Sequence, residues 1–260
     1  MQERLMRIAR EAGNLFSARS LSEIDQKEGH ANFVTNIDRE VEEYLQQSLL
    51  SLLPGSRIIG EEKENEALSD APTWIVDPVD GTTNLIHGYR CSAVSIALCE
   101  NREPVVGLIW QPYMKEMFYA EAGRGAFLNG APIHVSEHPF NRALVAFGTA
   151  PYHTELAEKS MELALSFLRS CADIRRSGSA AVDLAWVACG RHDAFFELNL
   201  KPWDYAAGSL IVREAGGVFR MPRDPGEIRY DRSTAVLASS AAVAEDVLAV
   251  FMRYAGGGRA

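Results

Sequence analysis

No stretch of this chain is apolar for long enough to span a bilayer, and mean hydropathy is only -0.11, so a membrane span is not expected. Positive charge is in deficit: 26 Lys and Arg stand against 35 Asp and Glu, a formal charge of -9. A groove that gains affinity by neutralising nucleic-acid phosphates is therefore disfavoured. Cysteine is scarce and scattered, since Cys91, Cys99, Cys171 and Cys189 make no CxxC pair. That argues against a zinc site or a disulfide framework and fits a reducing cytoplasm. The six histidines are dispersed too, with no HExxH. Low-complexity tracts, repeats and flexible linkers are missing. The opening MQERLMRIAREAGNLF carries charges among its apolar positions, so it does not read as a signal peptide.

What is there is ordinary globular material. With 260 residues, 47% hydrophobic and 23% charged, the chain can bury one large core or two medium lobes. Leu5, Ile8, Ala9, Ala12, Leu15 and Phe16 recur at helical spacing, predicting a first helix over residues 2–26. A second helix runs from Ile37 to about Leu52, ending at Pro54-Gly55. Strands are predicted over 57–60, 73–77, 92–100, 104–111 and 116–120 as an antiparallel meander. Asn129-Gly130 marks a hairpin. Further on, strands over 143–147, 172–176, 194–197, 217–220 and 235–238 alternate with helices over 154–170, 179–189 and 203–215 and a last helix, the pattern of an α/β region. A boundary near Ser136 to Arg142 would give lobes of about 1–138 and 139–260 within one unit of 1–260. The tail AGGGRA is expected to be disordered.

One stretch stands apart. In WIVDPVDGTTN an apolar run, Trp74-Ile75-Val76, ends in Asp77 and Asp80 with Pro78 between them, and Gly81 and two threonines follow. Read alone, one aspartate caps a helix and the other is solvated. Two other features weigh against that. Glu61 and Glu62 also follow a short apolar strand, and KPWDYAAG puts Asp204 at a helix start. Four carboxylates in one pocket repel, at roughly 4 kcal/mol for a like pair about 4 Å apart and an effective dielectric near 20. Such a cluster is tolerable if protonated or bridged by cations. All-oxygen ligands select a hard ion, Mg2+ or Mn2+, over Zn2+. Mg2+ commonly joins one or two carboxylates to a substrate phosphate, which would reconcile an acidic protein with an anionic substrate.

GEE, WIVDPVDGTTN and KPWDYAAG, in this order, resemble the inositol monophosphatase family of Mg2+-dependent, lithium-sensitive phosphatases. The resemblance continues through FVTNIDREVE, RRSGSAAVDLAWVACGRHDAFFE and REAGGV, nearly the whole chain. GSAA, FFE and PWD look like the bacterial inositol-1-monophosphatase branch. The resemblance implies an α+β fold, a layered αβαβα sandwich of the inositol monophosphatase / fructose-1,6-bisphosphatase type. Its larger antiparallel sheet would lie in the first half and a smaller mixed sheet in the second. It also implies two or three Mg2+ ions, with Mn2+ as a substitute, and a homodimer. By position, Glu61, Asp77 and the Val79 carbonyl would hold a first metal. Asp77, Asp80 and Asp204 would hold a second, with Glu61 toward a weaker third. Pro78 would fix the turn, while Gly81 and Thr82 begin a short helix whose free N–H groups take phosphate oxygens.

The same resemblance makes Glu61, Thr82 and Asp38 the catalytic set. The attacking water would lie against Glu61 and the Thr82 hydroxyl, with Asp38 accepting the Thr82 proton. From the residues alone, Asp38 reads instead as a favourable charge at a helix N-terminus. Substrate contacts would come from Asp80, Gly81, Thr82, Gly178, Ser179, Ala180, Glu197 and Asp204. Ser179 reads equally as an N-cap. Arg175 and Arg176 read either as contacts to a second phosphate or as partners of surface or interface acids. Lys27 either reaches toward the metal loop or is a solvated lysine. Lys63, after the double Glu, departs from the family's usual small residue, and His87 and Cys91 fall in a variable loop. The expected substrate is inositol 1-phosphate. Histidinol phosphate, fructose 1,6-bisphosphate and 3'-phosphoadenosine phosphates compete, the last two calling for basic residues or length that this chain offers little of. Some bacterial relatives contact the transcription machinery in ribosomal RNA antitermination, a binding role independent of catalysis.

Overall fold

The computed structural model describes residues 1–17, 24–26, 33–61, 67–223 and 228–255. The chain opens with α1 (Gln2–Ser17), a short antiparallel ribbon of β1 (Ile24–Gln26) and β2 (Phe33–Thr35), and α2 (Asn36–Leu52). The predicted first helix is thus too long. Its apolar spacing gives out at Phe16, and residues 24–26 pair as a strand instead. In α1 the buried stripe is Leu5, Ile8, Ala9, Ala12 and Phe16, and in α2 it is Ile37, Val41, Leu45 and Leu49. Both stripes pack on one face of the first sheet, against Trp74, Val76, Val94, Ile96 and Leu108.

That sheet contains β3 (Arg57–Gly60), β4 (Thr73–Asp80), β5 (Ala93–Glu100), β6 (Glu103–Gln111), β7 (Glu116–Glu121), β8 (Ala126–Leu128) and β9 (Ala131–Ile133), in sequence order. From β4 onward it is the predicted antiparallel meander, and Asn129 and Gly130 turn the last hairpin at positive φ. Its edge differs from expectation, because β3 pairs parallel to β4. The connection over 61–72 is long enough for the crossover that a parallel pair needs. A short α3 (Thr82–Ile86) follows β4 directly.

The second sheet is mixed, as expected. It has the order β11-β10-β12-β14-β13, built from β10 (Leu144–Phe147), β11 (Asp173–Arg175), β12 (Ala194–Leu200), β13 (Val218–Arg220) and β14 (Thr234–Ser239). β10 runs parallel to both β11 and β12, and the other pairs are antiparallel. Helices α4 (Ala157–Leu168) and α7 (Ala244–Ala255) cover its outer face, where Leu163, Phe167, Val247 and Phe251 meet Val145, Phe196 and Leu237. Between the two sheets lie α5 (Ala180–Ala188) and α6 (Pro202–Glu214). Their apolar residues join Ile75, Ala97, Ile109 and Phe118 of the first sheet to Phe195, Val236 and Phe219 of the second. A helix buried on both sides is apolar nearly all round, and α5, with Asp183 as its one charged residue, fits that description. The layers therefore read αβαβα. Among the described residues, no helix is long and apolar enough to cross a membrane. Lys27, Glu62, Lys63 and residues 256–260 of the tail lie outside the described residues.

Candidate active site

The site begins with an extra residue. Asp77 pairs with Ser95 and Asp80 with Ala93, so three steps along β4 match two along β5. Side chains alternate faces along a strand, and residues three apart would point to opposite sides. The bulge absorbs the odd step, and both aspartates reach the same cleft. The Val79 N–H donates to Asp77 Oδ1 at 2.9 Å, closing a tight turn over Pro78. Gly81 then adopts φ of +94°, where a Cβ would lie 3.0 Å from the Cys91 carbonyl oxygen, so only glycine fits this corner.

Thr82, first residue of α3, lies with its hydroxyl 2.9 Å from Asp38 Oδ1 and 3.2 Å from the Val79 carbonyl. The other Asp38 oxygen accepts the Thr35 N–H at 2.8 Å and the Thr35 hydroxyl, closing a capping box on α2. The helix-start reading of Asp38 agrees with this cap, which fixes the carboxylate with its other oxygen toward Thr82.

Asp204, in the first turn of α6, accepts the Lys201 N–H at 2.7 Å and keeps a partial opening to the cleft. Carboxylate oxygens of Asp77, Asp80 and Asp204 all lie within 4.8 Å of one another, a group able to hold a metal ion. Glu61 and Val79 line the same cleft of about 320 Å³. Burial first, then Glu61, Asp80, Asp204 and Asp38, pushes the Asp77 carboxyl well above the usual carboxylate range. Asp204 is raised in the same way by burial, then by Asp80 and Glu61. Asp80 is pushed up by burial to about 6, although the Ser179 hydroxyl and the Ala181 and Ala180 amides oppose the rise. Burial, joined at Asp77 and Asp204 by neighbouring negative charge, disfavours the ionised form across the cluster.

The opposite wall comes from the second sheet. Ser179 caps α5 by accepting the Val182 N–H, and its hydroxyl hydrogen goes to Asp80 Oδ2. The Ala181 N–H adds a second bond to that oxygen at 2.7 Å. The N-cap reading of Ser179 holds, and its hydroxyl is spent on orienting Asp80. Glu197 is buried on β12, which repeats the bulge of β4: Glu197 pairs with Val236 and Leu200 with Thr234. Burial raises its carboxyl to about 7, against the Ala150 amide that lowers it. That amide donates to Glu197 Oε1 at 2.8 Å, with Ala150 in the left-handed region at φ of +44°. A Cβ on Gly148 would come within 1.8 Å of Glu197 Oε2, so a larger residue here would have to push the Glu197 carboxylate aside.

Several contributors escaped the sequence reading. The loop Gly148 to His153 contributes walls of the cleft and of a smaller recess beside it, Tyr152 lining both. Burial, then Glu61, Asp204, Asp77 and Asp80, pushes the Tyr152 phenol up. Beneath Ser179, the Ser177 hydroxyl donates to buried Asp183 at 2.7 Å, and Asn84 ties the Cys91 and Ser177 carbonyls at 2.6 and 3.0 Å. A lone aspartate in the apolar run AAVDLAWVA was a readable signal for Asp183; the 148–153 loop had none. Lys201 and Trp203 also line the cleft, beside the Asp204 already singled out. Arg175 pairs with Asp173 in an exposed ion pair, the surface role weighed for it. Arg176 lines the recess near Ser179 and reaches Thr149 Oγ1 at 3.4 Å. His87 is exposed and Cys91 buried beside Gly81.

This geometry has known counterparts. Residues 2–253 match the model of the inositol monophosphatase family, and the chain belongs to that family. Inositol monophosphatase 3 of Solanum lycopersicum is 38% identical over 229 residues, 85% of this chain and 84% of its own. Nus factor SuhB of Escherichia coli K12 is 40% identical over 219 residues, 82% of each chain. Among solved structures, a Thermotoga maritima IMPase superposes with a TM-score of 0.88 at 30% identity, covering 97% of this chain and 96% of that one.

Proposed function

We propose that this protein is a Mg2+-dependent phosphomonoesterase that hydrolyses inositol 1-phosphate to inositol and phosphate. The observation that carries the reading is the convergence of Asp77, Asp80 and Asp204 oxygens within 4.8 Å. A buried, all-oxygen donor set of mutually repelling acids fits a hard divalent cation. Glu61, Asp77, Asp80, Asp204 and the Val79 carbonyl would hold two or three such ions, and Mn2+ suits the same ligands. When bound, Mg2+ supplies charge neutralisation and lowers the pKa of a nucleophilic water.

The remaining work falls to the chain. Thr82 and Glu61 orient the attacking water, and Asp38 accepts the Thr82 hydrogen so that the Thr82 oxygen keeps a lone pair toward the cleft. The Gly81 and Thr82 amides receive phosphate oxygens, as free N–H groups at a helix start do. Glu197 has one oxygen engaged by Ala150, leaving the other for a ligand hydroxyl near the Gly178, Ser179 and Ala180 segment. Water oxygen bonds to phosphorus as the ester P–O bond breaks, and the alcohol leaves with a proton. We further place the protein in the cytoplasm as a homodimer, one unit with lobes of about 1–138 and 139–260, inhibited by lithium and without direct nucleic-acid binding.

The test is phosphate release from a panel of phosphorylated metabolites, with Mg2+ and with EDTA. Inositol 1-phosphate should lead. A preference for histidinol phosphate or another sugar phosphate would overturn the substrate; no release from any ester would overturn the reaction. The name Nus factor, borne by several similar proteins, supports a second role in contact with the transcription machinery. Co-purification with RNA polymerase, unchanged in Asp80→Asn, would separate that role from catalysis.

A further inference from the structure

Tyr152 is a large aromatic with about half of its surface exposed, 48%, and it joins none of the three apolar cores. It borders both the main cleft, with Glu61 and Lys201, and a smaller recess of about 90 Å³ beside Ser179 and Arg176. The two spaces share Asp80, Thr82, Glu197 and Asp204 as walls. Tyr152 thus stands where the metal and phosphate end of the cleft meets the end left for the alcohol.

Its backbone is tied down. The Ala150 N–H is bound to Glu197, the His153 N–H donates to the Ala150 carbonyl at 2.8 Å, and the Leu156 N–H donates to the His153 carbonyl at 2.8 Å. The ring extends from this anchored turn. The donor inventory adds a chemical reason. Once ionised, the carboxylates around the cleft only accept hydrogen bonds, while each hydroxyl of a polyol both donates and accepts. A phenol supplies a neutral donor together with an apolar face for the C–H side of a ring.

We propose that Tyr152 is the specificity-determining residue for the alcohol portion of the ester: its ring packs on that group and its hydroxyl donates to one of the group's oxygens. The assignment rests on the phosphomonoesterase reading. The test compares inositol 1-phosphate with p-nitrophenyl phosphate, whose leaving group has no further hydroxyls, in Mg2+. Tyr152→Phe should lower kcat/KM for inositol 1-phosphate about five-fold, the scale of one hydrogen bond, mostly through KM. p-Nitrophenyl phosphate should change by less than about two-fold, and thermal stability should hold, as for an exposed side chain. Tyr152→Ala, which removes the ring as well, should weaken both esters. An equal loss on both esters in Tyr152→Phe would put the hydroxyl on the phosphate end and overturn the assignment, as would no loss on either. If wild type releases phosphate from neither ester, the phosphomonoesterase reading itself fails and takes the assignment with it.

Discussion

Strand β4 and strand β12 come from different sheets, and each carries one extra residue against its antiparallel neighbour where it meets the cleft. Both deliver buried carboxyls there, Asp77 and Asp80 from β4 and Glu197 from β12. The acids of β4 face one another and Asp204. Glu197 faces backbone, holding Ala150 and filling the space beside Gly148. All four acids accept a main-chain N–H, so the difference lies in their neighbours: Asp77, Asp80 and Asp204 crowd one another closely enough for a cation to bridge, and Glu197 stands outside that cluster.

The sharpest way to break this contrast is to neutralise one acid of the first group. Asp77→Asn should lose roughly 3 kcal/mol or more of transition-state stabilisation, and EDTA should abolish turnover until Mg2+ is restored. Full turnover in EDTA would end the metal scheme.

Proton linkage tests the burial of an acid from each strand without a mutation. Asp80 and Glu197 keep their protons up to about 6 and 7, above the range near 4 of an unfolded carboxyl. The folded, metal-free protein therefore binds protons that the unfolded chain has released. The stability contributed by those two carboxyls is fully present below about pH 4 and is lost as pH rises through 6 and 7. Each pKa unit is worth about 1.4 kcal/mol, so the fall should reach on the order of 3 kcal/mol for each of the two groups. Thermal unfolding in EDTA should show a midpoint dropping over that window, and Mg2+ should flatten the slope. A midpoint that rises instead would mean the acids ionise without a burial cost.

Thr82→Ala, at the joint between β4 and Asp38, should lower kcat by about 100-fold with KM near wild type, the range for a positioned acid–base group. A change confined to KM would make Thr82 a phosphate-binding residue alone. Glu197→Gln, on the β12 side, should cost inositol 1-phosphate about 1 kcal/mol, since shape and much of the hydrogen bonding survive. Were histidinol phosphate the substrate, its ammonium would lose a countercharge in a partly buried pocket and the loss would be larger. Paired kcat/KM values for both esters, in wild type and variant, decide between them.

Much of the cleft was legible because its chemistry is concentrated at strand ends. An apolar run breaking into Asp77, Pro78 and Asp80, or into Glu61, is a local signal, and so is Asp204 behind Trp203. The 148–153 loop was not, because GTAPYH carries no periodicity and its shape comes from Glu197, distant in sequence. The parallel edge pair β3–β4 was hidden for a related reason: alternation reports a strand's faces, and strand direction depends on the crossover over 61–72. The end of α1 was overrun because polar residues after Phe16 neither continue nor punctuate the helical pattern.

The helix pair between the sheets has a consequence for how the chain is made. The inner face of the first sheet, with Ile75, Ala97, Ile109 and Phe118, is covered by α5 and α6, which lie far downstream in sequence. On the ribosome that face would be complete and bare while residues 180–214 are still unmade, an exposure of the kind that draws chaperones or invites aggregation. A chain cut after residue 138 would leave the same face open permanently. The first sheet carries Asp77 and Asp80, yet its inner face is covered only when the second half closes over it.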